Sequence, residues 1–279
     1  MKPKEFIRKK FLRRLILDYY RRLPEEERTP EWTEVIRWLE EHRVFALPYD
    51  FTEKYRPENI PLHTDEERGL YYTLFRGHRL YYKDAGRVGK AKRYFNSVFM
   101  EQDPASPHRY LTEEFDVAPG DVVVDIGAAE GNLSLDVVER AEKVWIFEVC
   151  PGWVKALQAT FEPWKEKVEI IRKMVSDRTE GDKVALDDVF DGGRKIDFVK
   201  IDVEGDEDAV IRGMRHLLEE KRVKKIALAT YHRQADAEKF SRLLGEYGYD
   251  ISFSRGYMIF RRGIEEPYLR RGILKAVLR

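Results

Sequence analysis

Cysteine is nearly missing from this chain: among 279 residues there is one, Cys150. That excludes an intrachain disulfide and a multi-cysteine zinc centre, and it fits a reducing compartment. No apolar run reaches the ~18 residues that a membrane span needs, so no transmembrane segment is expected. The start, Met1-Lys2-Pro3-Lys4, leads into closely spaced basic residues and not into the apolar core of a signal peptide. The cytoplasm is the default location. An excess of one charge is missing too. The 51 basic residues are balanced by 51 acidic ones, so no global field argues for a nucleic-acid partner. Internal repeats and low-complexity tracts are absent. What is there is a 43% hydrophobic composition, which places the chain among globular proteins with a sizeable core.

The most informative stretch is Val122-Val123-Val124-Asp125-Ile126-Gly127-Ala128-Ala129-Glu130-Gly131-Asn132. A β-branched run ends in Asp-x-Gly-x-x-x-Gly and helix formers follow, the pattern of a buried strand, a tight turn and a helix N-terminus. Glycines let the backbone approach a ligand, and the turn exposes amide groups. A second apolar run, Val144-Trp145-Ile146-Phe147, ends in Glu148, 17 residues after Gly131. A carboxylate at a strand tip can accept two hydrogen bonds from a ribose diol. A dinucleotide fold usually carries Gly-x-Gly-x-x-Gly against a pyrophosphate. Asp125, directly before this turn, would repel a pyrophosphate but could receive an ammonium group. The pattern therefore favours S-adenosylmethionine (SAM) over a dinucleotide, and over glycines that serve packing alone.

Upstream, residues 2–22 form a basic amphipathic helix pattern in which nine Lys or Arg oppose only Glu5 and Asp18. It reads as a helix docked on its own domain. A contact with an acidic partner or membrane surface, or a homodimer, stands as the alternative. A short helix is expected over 31–41, and 44–68 reads as an irregular connection. The strands 70–75 and 78–82 flank Arg76-Gly77, a hairpin signal. Their Tyr71-Tyr72 and Tyr81-Tyr82 pairs suit either an amphipathic sheet or a substrate wall. Residues 89–99 read as a helix, and 102–110 as a polar loop before the first core strand.

From 118 onward strands alternate with helices, which implies an α/β doubly wound, mostly parallel sheet. Strands are expected at 121–126, 143–148, 168–175, 196–202, 224–231, 249–254 and 256–261, the last two as a hairpin. Helices are expected at 131–141, 151–162, 206–220 and 234–247. The apolar positions Tyr268, Leu269, Ile273, Leu274 and Val277 suggest a packed helix in the tail. The division is an N-terminal extension over 1–110, a catalytic domain over 111–262 and a tail helix over 263–279.

In such a sheet ligands sit at the C-terminal strand ends. Asp125, Gly127, Ala128, Ala129, Glu130, Gly131, Asn132, Glu148, Val149 and Asp202 are the expected cofactor residues there. An apolar side chain such as Val175 can cover the adenine ring, and Ser176 or Asp177 can meet its amine. His108, Tyr110, Lys200 and Arg233 are the acceptor-side candidates, with Lys200 also able to pair with one of the acids. Methyl transfer is an in-line displacement, and a hydroxyl acceptor must also lose a proton. His232, just past a strand end, is the first candidate base. Glu204 is the second: it follows Asp202 by two residues, so on extended backbone both point the same way. A divalent ion held by Asp202, Glu204 and His232 is conceivable, but no tight ligand spacing supports one and no metal is expected.

The ordered motifs Asp125-Ile126-Gly127-Ala128-Ala129-Glu130-Gly131, Phe147-Glu148, Val175-Ser176-Asp177, Leu186-Asp187-Asp188 and Lys200-Ile201-Asp202-Val203-Glu204-Gly205-Asp206-Glu207 resemble those of FkbM-type methyltransferases. The segment 102–110 and the pair Tyr231-His232 share that resemblance, which covers residues 70–261. It implies a seven-stranded class I SAM methyltransferase fold and methyl transfer, commonly to a hydroxyl on a sugar or natural product. The expected acceptor is a glycan or glycosylated small molecule. Ala129-Glu130 departs from the frequent Asn-x at those positions. An N- or protein methyltransferase, and a non-catalytic SAM-binding scaffold, are the rival functions. The tyrosine pairs could hold an amine through cation–π contacts.

Overall fold

The computed structural model describes residues 9–84 and 86–279. Residues 2–8 of the basic amphipathic segment lie outside them. In chain order, helices α1 (Lys9–Arg22) and α2 (Pro30–Glu41) precede a small sheet of β1 (His63–Asp65), β2 (Leu70–Phe75) and β3 (His78–Tyr81). Helix α3 (Val88–Glu101) leads to β4 (Val122–Ile126), α4 (Asn132–Val137), β5 (Lys143–Phe147), α5 (Pro151–Phe161) and β6 (Val168–Ile171). The short pair β7 (Met174–Val175) and β8 (Lys183–Val184) and helix α6 (Leu186–Val189) follow. Then come β9 (Ile196–Ile201), α7 (Glu207–Arg212), α8 (Arg215–Glu219), β10 (Val223–Ala229), α9 (Asp236–Glu246) and β11 (Tyr249–Phe253). The chain ends in β12 (Tyr257–Met258), β13 (Arg270–Arg271) and β14 (Ile273–Leu278).

The main sheet has seven strands in the order β11-β14-β10-β9-β4-β5-β6. Strand β14 runs antiparallel to both of its neighbours, and the other pairings are parallel. This is the doubly wound sheet expected of the alternating pattern. Strand order reverses at β4 and β9, whose C-terminal ends therefore open a crevice. The register sets Asp125 opposite Lys200 on these two strands, so their side chains leave the sheet on the same face.

Three expectations are corrected. The tail 263–279 is not a helix: β13 and β14 occupy it, and β14 is the seventh strand of the sheet. Inserted between two strands and covered on both faces, it buries Ile273, Leu274, Lys275 and Ala276 in succession. A strand of that kind shows no alternation and reads like a buried helix. The strand expected at 256–261 shrinks to β12, which pairs with β13 as an extension of the β11–β14 ribbon beyond the sheet. The strand expected at 168–175 divides into β6 and β7, and β7 pairs with β8 outside the main sheet.

The N-terminal extension shares its core with the sheet layer. Leu70, Leu80, Tyr82 and Phe95 join Val123, Leu133 and Trp153 in one apolar cluster. The hairpin turn has Arg76 at φ 52 and Gly77 at φ 84, the two positive values of a type I′ turn. Strand β1, inside the segment read as irregular, completes that small sheet. Leu12 and Ile16 of α1 bury themselves against Trp32, Val35 and Leu39 of α2 and against Tyr268 and Leu269. Arg13 donates to Leu39 O at 2.5 Å and Glu40 O at 2.6 Å, covering carbonyls that the end of α2 leaves open. The described part of the basic helix thus docks on its own chain. Among the described residues no helix is long and apolar enough to cross a membrane.

Candidate active site

At the crevice between β4 and β9 lies a cavity of about 520 Å³, within the size range of small-molecule sites. Its floor is the glycine turn: Gly127, Ala128, Ala129, Glu130 and Asn132 line it. Gly127 has φ +72, and a Cβ there would stand 2.0 Å from Asp202 O. The two strand ends touch through backbone at that point, and only glycine permits it. Gly131 turns away from the cavity toward Leu157 and Phe161.

Glu148 lines the cavity from the tip of β5. Its Oε2 accepts from Ala129 N at 2.9 Å and its Oε1 from Cys150 N at 2.7 Å. Each oxygen keeps a lone pair for a ligand hydroxyl. Val149 and Val175 stand on the same wall. Ser176 does not: it is buried, its hydroxyl donates to Asp177 Oδ1 at 3.3 Å, and Asp177 pairs with Arg212 at 3.4 Å. Neither lines the cavity.

Asp125 is also placed differently from expectation. It is 1% exposed and absent from the cavity wall. Ser134 Oγ donates to its Oδ2 at 2.7 Å, and Lys200 Nζ lies 3.1 Å from its Oδ1. Lys200 donates further to Gly127 O at 2.6 Å and Ile126 O at 3.3 Å. Lysine and aspartate thus form a buried strut beneath the turn, and Asp125 offers no oxygen to a ligand ammonium.

The opposite wall is a polar network around Asp202. Tyr110 Oη donates to Asp202 Oδ2 at 2.6 Å and Tyr231 Oη to the same oxygen at 3.0 Å. His108 Nε2 stands 3.1 Å from Tyr231 Oη and 3.5 Å from Asp202 Oδ2. Burial works against the Asp202 charge, but His108, Lys200 and His232 outweigh it and hold its carboxyl below the usual range. His108, Tyr110, Lys200, Asp202 and Tyr231 all line the cavity.

His232 does not line it. It is 5% exposed, with Nδ1 2.8 Å from Glu207 Oε1 and Nε2 3.5 Å from Asp202 Oδ1. Burial lowers its pKa, yet the two carboxylates more than reverse this and raise it. A ring clamped between two acids favours the imidazolium, which is no base. Asp202, Glu207 and His232 bring one ligand atom each within 4.8 Å of the others. The sequence pattern had suggested Glu204 as the third member of such a group, and Glu207 stands there instead. The two ring nitrogens face different carboxylates, so the group is built as a charge-paired histidine.

Glu204 leaves the strand parity. Its φ is +58, so the extended run ends before it and its side chain reaches solvent beside Arg262, 3.4 Å away. It lines the cavity rim. Arg233 lies outside the wall and braces this turn by donating to Gly205 O at 2.5 Å.

Sequence reading missed the contribution of α3. Tyr94 and Glu101, seven residues apart and so on one helix face, line the cavity together with Trp153 and Lys83. Tyr94 Oη donates to Glu130. Burial dominates at Glu130 and pushes its carboxyl up to about 7, against the pull of the Tyr94 hydroxyl. An acid whose folded pKa is raised binds more protons folded than unfolded between its two pKa values, so stability falls as pH rises through that window. A shift from 4.5 to about 7 corresponds to roughly 3 kcal/mol. Glu130→Gln keeps an acceptor for Tyr94 and removes the charge. Urea unfolding should find it more stable than wild type by about that amount near pH 8, and equal to it near pH 4. Equal stability at both pH values would show that Glu130 ionises freely.

The family model described as Methyltransferase FkbM domain matches residues 146–251. No curated protein matches the chain. Among solved structures the chain is similar to methyltransferase FkbM from Methylobacillus flagellatus KT, with 16% identity and a TM-score of 0.48. That match covers 94% of this chain and 58% of the other, so this chain spans little more than half that protein's length. It is also similar to a precorrin-6y C5,15-methyltransferase from Geobacter metallireducens GS-15, at 15% identity and TM-score 0.39, over 58% of this chain and 82% of that one. M. capricolum TrmK in complex with S-adenosyl-homocysteine matches at 10% identity and TM-score 0.39, over 58% of this chain and 64% of that one.

Proposed function

Guided by the match of the FkbM methyltransferase domain model to residues 146–251, we propose that this chain transfers the methyl group of SAM to a hydroxyl on a glycan or glycosylated small molecule. The observation that carries the reading is Glu148, held by two backbone amides at a strand tip and turned into the cavity across from the glycine turn. This carboxylate would hold the ribose diol of SAM. Val149, Met174 and Val175 would hold the adenine, and Gly127–Glu130 with Asp202 would hold the methionine moiety. The cavity wall carries six acids (Glu101, Glu130, Glu148, Asp202, Glu204 and Asp206) against three lysines (Lys83, Lys173 and Lys200). That balance suits a ligand bearing a sulfonium and an ammonium.

When SAM is bound it supplies an electrophilic methyl carbon. The acceptor oxygen would bond to that carbon as the carbon–sulfur bond broke, with the electron pair left on sulfur. Bond formation makes the hydroxyl proton strongly acidic, so a carboxylate suffices to remove it. Glu204, at the cavity rim, is the proposed base. His232 is a positioning residue: with Tyr110 and Tyr231 it fixes the Asp202 carboxylate and sets the wall against which the cofactor tail is aligned.

Calorimetric titration with SAM and with S-adenosylhomocysteine (SAH) tests the reading. Wild type should bind both, and Glu148→Ala should bind each about a hundredfold more weakly, since two charge-assisted hydrogen bonds are lost. No binding by wild type would sink the methyltransferase reading. Equal binding by the variant would remove the ribose from Glu148.

A further inference from the structure

We propose that this chain carries a second ligand site, separate from the cofactor cavity, that binds the phosphoryl or carboxylate group of a small molecule on the ammonium of Lys275. The site is a cavity of about 300 Å³ between the segment after α3 and the ribbon of β11 and β14. It shares no lining residue with the cofactor cavity, and its occupancy is independent of the methyltransferase chemistry.

Lys275 is the residue that calls for a ligand. It lies on β14, opposite Ser252 of β11 and Ala227 of β10, in a strand whose Ile273, Leu274 and Ala276 are buried and apolar. It is itself 4% exposed. An ammonium taken out of water at such a place is costly unless an anion accompanies it. The other buried lysine of the sheet, Lys200, has that anion in Asp125 Oδ1 at 3.1 Å, with two carbonyls besides. Among the described residues no ion pair joins Lys275 to a carboxylate. Its ammonium donates to Thr112 Oγ1 at 3.4 Å, a long bond, and stands 5.6 Å from the centre of the Phe115 ring. Neither group carries a negative charge, and together they leave donor capacity of the ammonium unused.

The surroundings add positive charge to this position. Burial lowers the Lys275 pKa most, Arg109 lowers it further and the exposed Glu114 opposes them, which leaves it at about 8. The ammonium form still predominates at neutral pH. Arg255, also on the wall, is 83% exposed and pairs with Glu34 at 3.5 Å, so it is left out of the balance. Lys275 and Arg109 then face one exposed acid. An ammonium and a guanidinium about a shared space suit an oxyanion. The Thr112 hydroxyl accepts from Lys275 and keeps its own proton to donate. A single oxyanion fills only part of this volume. Phe253 and Val277 line the remainder, which suits a small organic body attached to the anion.

The cavity is a fixed part of the fold. Gln102, His108 and Tyr110 line the cofactor cavity, whereas Ser106, Arg109 and Thr112 of the same segment line this one. Ser254 Oγ, on the ribbon wall, donates to Pro107 O. A Cβ at Gly272 would stand 1.9 Å from that same oxygen. The segment is therefore pinned against the ribbon at its centre, with one cavity on each side.

Carbon-13 NMR of the lysine ε-methylenes in the full chain tests the site, with inorganic phosphate and acetate as probes against sodium chloride at the same ionic strength. Loss of one signal in Lys275→Met identifies Lys275. Methionine there removes a buried charge that has no counter-ion, so this variant should be at least as stable as wild type. Phosphate or acetate should move the Lys275 signal saturably and raise its titration midpoint above about 8. Arg109→Gln should weaken that binding at least about tenfold. Arg255→Gln should change it less than about twofold, as expected of an exposed, already paired group. The same anion should raise the thermal midpoint of wild type and leave that of Lys275→Met unmoved. A stronger response to phosphate identifies the bound group as phosphoryl, and a stronger response to acetate identifies it as carboxylate. No saturable movement of the Lys275 signal with either anion, or equal binding by Arg109→Gln, overturns the site, whatever affinity the chain has for SAM.

Discussion

Replacing Lys200 by methionine should destabilise the fold by about 3–5 kcal/mol, the cost of stranding a buried charge. Methionine has nearly the length of lysine, so no large cavity opens, and what the variant removes is chiefly the ammonium. That group lies 3.1 Å from Asp125 Oδ1 and donates to Gly127 O at 2.6 Å. Asp125 is 1% exposed and has one other polar partner, the Ser134 hydroxyl. Without Lys200 its carboxylate must either stay buried and unpaired or take up a proton. Burial disfavours the Lys200 charge, but Asp125 and Asp202 more than reverse this and raise its pKa. A lysine whose folded pKa is raised contributes stability that is fully present below its unfolded pKa and is lost only as pH rises through the folded value. The cost of Lys200→Met should therefore be the same near pH 6 and near pH 8. Urea unfolding measures it. Adding Asp125→Asn should return much of the loss, because the stranded charge is then gone. A loss below about 1 kcal/mol, the worth of a surface pair, would show that the strut carries little of the sheet's stability.

That pairing also marks where sequence reading stops. The strand tips were legible because each apolar run ends abruptly in an acid or a glycine, and Glu148, Asp202 and the glycine turn do meet around one cavity. Asp125 was misplaced because its partner lies 75 positions away on β9, and register between strands is not written in either one. Glu204 and Asp202 were expected to point the same way, an inference that needs extended backbone. The positive φ of Glu204 ends the extension one residue earlier and swings its side chain to the rim. His232 was the favoured base from its place after a strand. Nothing local could say that Glu207 and Asp202 would close on both of its nitrogens. The tail strand was hidden by its own burial on both faces. Tyr94 and Glu101 carried a signal, one helical face with a ring and an acid, but only tertiary packing brings that face to the cavity.

Gly127→Ala should abolish measurable SAH binding, a loss of at least about a hundredfold, and should also lower stability by several kcal/mol. Two effects combine. A left-handed backbone costs an alanine roughly 1–2 kcal/mol, and the added methyl would stand 2.0 Å from Asp202 O and 3.2 Å from Val203 Cγ1. The first of these is backbone, so no rotamer change relieves it. The ends of β4 and β9 must separate, and the link from Asp202 N to Ile126 O, 3.2 Å long, sits on the line of separation. That movement displaces the turn amides and the Asp202 carboxylate together, the two sides between which the cofactor tail is proposed to lie. Gly120→Ala is the matched control. Gly120 has φ +85 and nothing within 4 Å of its Cβ position, so the substitution there incurs the backbone strain alone. It should cost about 1–2 kcal/mol and leave SAH affinity unchanged. Urea unfolding and SAH titration on both variants separate strain from collision. If the two variants lose equal stability and both still bind SAH, the close approach of the strand ends is not what demands glycine at 127, and the turn is free to shift without loss of the site.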